Sequence, residues 1–203
     1  LEFPQNPPAL SRFRSIEIEP GGTLIAPQNF LYNAGEHINL GGTFVANGGT
    51  YVIYYPTLPN RTSLTTNNEV FHNLIIDCQN QFGPGLDDTL TVTGDLIIRS
   101  GELQGEARSA FNVKGNVSYE SGALPSNGVT NMIFSGPTDQ TLTFAATRID
   151  AWNGSITVNK PGGELILGSP VVLDQFADGL GPRFFRFTRC IVRGSSTNYL
   201  SFK

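Results

Sequence analysis

Residues Leu90–Leu103 read LTVTGDLIIRSGEL, and residues Phe111–Leu124 read FNVKGNVSYESGAL. The two stretches align at an offset of 21 residues throughout. Leu90 matches Phe111, Val92 matches Val113, Gly94 matches Gly115, Leu96 matches Val117 and Ile98 matches Tyr119. Ser100-Gly101 likewise matches Ser121-Gly122, and one more step of 21 reaches Met132, Phe134 and Gly136. Upstream, IEIEPGGTLIA (Ile16–Ala26) matches the segment ending HINLGGTFVA at Ala46, now at an offset of 20. There Ile18 falls on Ile38, Gly21-Gly22-Thr23 on Gly41-Gly42-Thr43, and Ala26 on Ala46.

A period of about 20–22 residues with apolar side chains at alternate positions predicts one coil of a parallel β-helix. Apolar residues alternate inward, and the chain turns its corners at Gly. A single coil cannot bury its own face, so stacking of coils supplies the core. Leucine-rich repeats share the period, but their leucine-asparagine signature is missing. The alternative is a β-sandwich, whose short strands between Gly turns look similar locally; it does not readily explain the strict spacing. The fold class read here is therefore all-β, a single-domain parallel β-helix, expected to be right-handed although the spacing itself does not set the hand. Residues 1–14 read as an extended N-terminal segment and 15–203 as the solenoid. Loops are expected at about 50–68, with Tyr54-Tyr55-Pro56 and Pro59-Asn60-Arg61, and at 79–88, with QNQFGPGLDD.

Composition agrees. The chain has 203 residues, 23 of them Gly and 13 Pro, and its strand-like segments are short and punctuated by Gly, Asn and Asp. No ten-residue stretch carries a helical period without an interrupting Gly or Pro. The net charge is −4, so no general basic field exists to neutralise a phosphate backbone, and nucleic acid is not an expected partner. No apolar run approaches the ~20 residues that cross a bilayer as a helix, and membrane insertion is not expected. Cys78 and Cys190 fit neither a disulfide framework nor zinc spacing and read as buried thiols, the alternative being one long-range disulfide if their coils are neighbours.

Val70–Gly168 resembles a repeat region of very large secreted surface proteins of Bacteroidetes-type bacteria, many of which are cargo of type IX secretion. The resemblance rests on Asn73-Leu74-Ile75-Ile76, the two 14-residue repeats, Ile133-Phe134-Ser135-Gly136 with Gln140, and ITVNKPGGELIL from Ile156. The tail CIVRGSSTNYLSF is similar to the segment that follows in such proteins. The resemblance implies export, a cell-surface or extracellular location and a long multi-module parent continuing past Lys203. It carries no catalytic motif.

Candidate chemistry is sparse. Polysaccharide-cleaving β-helices need paired carboxylates, or a calcium-bound cluster with a basic residue. Asp87-Asp88 and Asp178 are read first as turn residues. No cofactor is expected; structural calcium on these loops is the one ion weighed. His37 and His72 read as surface or corner residues. Glycan or partner contact is assigned to the aromatics Tyr51, Tyr54, Tyr55 and Trp152 and to the basic patch containing Arg186 and Arg189. Asn60, Asn116 and Asn153 stand in glycosylation sequons. The expected role is non-enzymatic: an extracellular structural or adhesive module of an adhesin or filament, partnered end to end by itself or by further modules of its parent, with glycans as possible ligands. The alternative is a carbohydrate-active module working along the helix face.

Overall fold

In the computed structural model the described residues are 11–55, 63–78, 85–101, 103–105, 109–123, 131–145, 155–173 and 185–202. They are built from strands joined by short corners, with no helix among them. The first strands are β1 (Ser11–Phe13), β2 (Ile16–Ile18), β3 (Thr23–Ile25), β4 (Phe30–Asn33), β5 (His37–Asn39), β6 (Thr43–Val45) and β7 (Thr50–Tyr55). Next come β8 (Ser63–Thr65), β9 (Val70–Phe71), β10 (Asn73–Cys78), β11 (Gly85–Leu86), β12 (Thr89–Val92), β13 (Leu96–Gly101) and β14 (Gln104–Gly105). The chain continues through β15 (Ala110–Val113), β16 (Val117–Ala123), β17 (Asn131–Phe134) and β18 (Gln140–Phe144). It ends with β19 (Ile156–Leu167), β20 (Val171–Leu173), β21 (Phe185–Arg193) and β22 (Leu200–Phe202).

Every described pairing is parallel and joins a strand to its equivalent one coil away, which excludes the β-sandwich. One face stacks β1, β4, β7, β10, β13, β16, β18, the end of β19 and then β21. A second stacks β2, β5, β8, β11 and β14. On the third, β9, β12, β15 and β17 lead to the start of β19 and of β21. The chain is thus an all-β parallel solenoid, and the repeat alignment is its coil register. Val92, Val113, Phe134 and Val158 form one inward column, each fully buried. Leu74, Leu96, Val117, Leu142 and Leu167 form another. Equivalent apolar side chains meet like with like, so each coil supplies the floor for the next.

Several expectations need correction. Thr50–Tyr55 is ladder strand rather than loop, paired along its length with Asn73–Cys78. Ser63–Thr65 and Gly85–Leu86 are also paired strands, so within the expected loops only 56–62 and 79–84 lie outside the described residues. The ladder already includes Ser11–Phe13, inside the segment read as extended. Coil length is not constant: it is 20 residues from Leu31 to Tyr51 and 25 from Leu142 to Leu167. The 21-residue register also slips after Ile98, where Ser100 pairs with Gly122 instead of Ser121. A bulge there inserts one residue on the β16 side. The last correction is the most informative: Ile18 pairs with Asn39, not Ile38.

Candidate functional site

The one-residue shift at β5 turns its side chains inside out. His37 and Asn39 point inward and are buried, while Ile38 lies on the outer side, half-buried. Glu69, at the corner before β9, reaches into the same interior. His37 Nε2 lies 2.6 Å from Glu69 Oε2, and Asn39 Nδ2 donates to Glu69 Oε1 at 2.6 Å. The second ring nitrogen, His37 Nδ1, lies 2.8 Å from the Tyr51 hydroxyl. Asn39 Oδ1 accepts from the Gly41 and Gly42 amides, which ties the strand to its corner. The rings of Phe44, Tyr51 and Phe71 close around the imidazole edge-on. A buried carboxylate tolerates such a site only when its oxygens are hydrogen-bonded, as both are here.

The order tyrosine, histidine, carboxylate is that of a proton relay. Its position argues for a structural role. Tyr51 is 3% exposed and His37 1%, so the cluster is closed off from solvent in this structure. The cluster instead links β5, β7 and the corner before β9, elements of successive coils. The expectation that His37 lies at the surface is overturned, and so is that of Tyr51 as an exposed sugar-stacking ring. His72 is a corner residue, its Nδ1 3.2 Å from Thr93 Oγ1.

A second buried polar group lies further along. Lys160 is 1% exposed, and its Nζ donates to Gly136 O, Thr138 O and Gln140 Oε1 at 2.7–2.9 Å. Gln140 accepts from the Gly136 amide and donates to the carbonyls of Val113 and Gly115, so one polar plug spans three coils. Burial pushes the Lys160 ammonium below the ordinary lysine range, partly offset by Asp139 and Cys190. Cys78 and Cys190 are both thiols, not a disulfide.

The expected contact residues are scattered. Tyr54 is half-buried on β7 beside Asp77, and Tyr55 closes the same strand. Arg186 and Arg189 are exposed on β21, at the register of Thr157 and Asn159. Their neighbour Arg193 is bound to Glu164 through two hydrogen bonds. Asn116 is an exposed corner residue whose Oδ1 accepts the Thr141 amide. Trp152, Asn60, Asn153 and Asp178 lie outside the described residues. Asp88 accepts from Thr66 N, Thr66 Oγ1 and Asn68 N, and Asp87 from Thr65 Oγ1. Both carboxylates thus bind the corner one coil earlier. Among the described residues no group of three or more His, Cys, Asp or Glu is arranged to hold a metal ion.

Two of the large exposed apolar side chains lie on β21. Phe187 continues the column Val92, Val113, Phe134, Val158, whose members are all fully buried, yet it is 53% exposed. Ile191 is 60% exposed on the same strand. The rings of Phe185 and Phe187 stack 4.7 Å apart. A shallow cavity of about 430 Å³ opens beside them, lined by Leu167, Phe187, Val192, Tyr199 and Leu200 among others. At the first coil a cavity of similar size is lined by Phe13, Ile16, Ile18 and Leu24. Comparison of the chain with protein-family models, with curated proteins and with solved structures finds no match.

Proposed function

We propose that this chain is a non-enzymatic structural module of a cell-surface or extracellular protein, of the kind its repeats resemble, and that it works by stacking end to end. The observation that carries the reading is Phe187, a core position of the ladder left more than half exposed. An inward column that ends uncovered is a surface shaped to receive one more coil. That coil comes from a second copy or from the next module of a parent chain. The exposed Arg186 and Arg189 flank the apolar patch and favour an acidic rim on whatever covers it. Strength along the axis comes from stacked backbone hydrogen bonds, and the function requires no cofactor.

Light scattering and negative-stain electron microscopy across a concentration series test this. Linear assemblies that grow with concentration and vanish in F187D support stacking between copies. A wild-type chain that stays monomeric at every concentration, and does not bind its neighbouring module supplied in trans, overturns the reading. The carbohydrate alternative draws on the same strand, because stacked Phe rings beside two exposed guanidinium groups suit an acidic sugar. Binding to an array of anionic glycans that is lost in R186A/R189A, with no self-assembly, favours that reading instead.

A further inference from the structure

We propose that β5 is a two-register strand, held in its observed inside-out register by Glu69. The sequence His37-Ile38-Asn39 has the pattern of a strand with Ile38 inward and polar neighbours outward. The structure has the reverse. Ile16 pairs with His37 and Ile18 with Asn39, an offset of 21, whereas the flanking pairs β1–β4 and β3–β6 both run at 20. The extra residue enters at the corner Ala34-Gly35-Glu36 and is removed again before Thr43. Gly35 is what admits it: a Cβ there would meet Arg14 O at 1.8 Å.

An offset of 20 at β5 would restore the corner lengths of the first coil. It would place Ile38 on Ile18 and bring His37 beside Glu17 on the outer face. Its cost is Glu36 entering the Ile16 column. The observed register instead buries two polar side chains, and both are satisfied by Glu69, which comes from the next coil. Without that carboxylate the imidazole Nε2 loses its partner inside a ring of Phe44, Tyr51 and Phe71, and the Asn39 amide keeps only its longer 3.3 Å bond to Gly42 O. A one-residue slip then moves both polar groups to the surface. Glu69 therefore decides which face of β5 the outer surface displays.

Disulfide trapping on the full chain, with Cys190→Ser to remove the half-buried thiol, reads the register. Glu17 and Ile38 are Cα partners on the outer side, so E17C/I38C closes under mild oxidation when Glu69 is present. In an E69L background its closure should fall about tenfold, as expected when a buried donor pair loses its acceptor. The pair E17C/H37C should close there instead. Undiminished E17C/I38C closure in a folded E69L chain overturns the proposal. If E69L loses its β-sheet circular dichroism, G35A replaces it, since it blocks the extra corner residue without substituting any residue of the cluster. Lost closure with retained fold in G35A supports the proposal, and retained closure overturns it. Loss of fold in both variants also overturns it, because the second register then has no stability of its own.

Discussion

Lys160 is the residue whose surroundings say most about the interior. Its ammonium donates to the carbonyls of Gly136 and Thr138 and to the Gln140 side-chain oxygen, so its hydrogen bonds go to neutral acceptors, and Asp139 adds only a partial offset at longer range. K160M should cost about 2–4 kcal/mol, measured by chemical denaturation, because it strands those acceptors in the core. The pH dependence has a definite sign. The folded chain holds this proton less firmly than the unfolded chain, so unfolding takes protons up. Lys160 therefore makes stability rise with pH as it climbs toward the ordinary lysine value of about 10.4, and the contribution is lost below the depressed folded value. Cys190 works in the opposite direction, since burial raises its pKa and the folded state keeps that proton longer. The slope of stability against pH in K160M should accordingly be less positive than in the parent over the alkaline range. Equal slopes would argue against a desolvated ammonium.

At the scale of the element, the corners are held as regularly as the strands. Asn73 Oδ1 accepts the Asp95 amide, Asp95 Oδ1 the Asn116 amide, and Asn116 Oδ1 the Thr141 amide. This side-chain ladder runs outside the backbone ladder and fixes where each corner ends. D95A removes one rung at an exposed position and should cost about 1 kcal/mol in a thermal melt. Beside it, Gly94 and Gly115 lie at equivalent corners, and Gly115 N donates to Gly94 O at 3.0 Å. A Cβ on Gly115 would meet that same oxygen at 2.3 Å. Backbone cannot yield as a flexible side chain does, so G115A should cost about 2–3 kcal/mol, more than D95A. The reverse order would mean that the side-chain ladder, and not close approach of the backbones, governs corner spacing.

For the whole molecule, the relevant fact is that each coil is supported from two sides except at the ends. Hydrogen exchange should therefore be slowest in the central ladder strands β10, β13 and β16 and faster in β21, which among the described residues pairs with β19 alone. Stacking onto the exposed Phe187 surface should slow exchange in β21 selectively, leaving β10 unchanged. Uniform slowing along the chain would indicate non-specific association.

The sequence by itself determined the period, the parallel stacking and the inward columns. Those follow from side chains that repeat every 20–21 residues, and like positions in a parallel ladder meet by geometry alone. Val92, Val113 and Phe134 fall in one column by their 21-residue spacing alone. The corner role of Asp88 was legible too, because an acidic residue after Gly-Pro-Gly has a local use. Only the tertiary structure decided what fills the interior between the regular columns. His37 and Asn39 lie 32 and 30 residues before Glu69, and nothing local marks it as their partner. The alternation of β5 pointed the wrong way, since a single residue inserted at the Gly35 corner reverses the side chains of that strand before the register is restored at Thr43. Lys160 was hidden for the same reason: a lysine is read as solvated unless the acceptors that bury it, supplied by the previous coil, are known. Where the chain uses repetition the sequence is sufficient. Where it departs from repetition, the compensating contact is made one coil away.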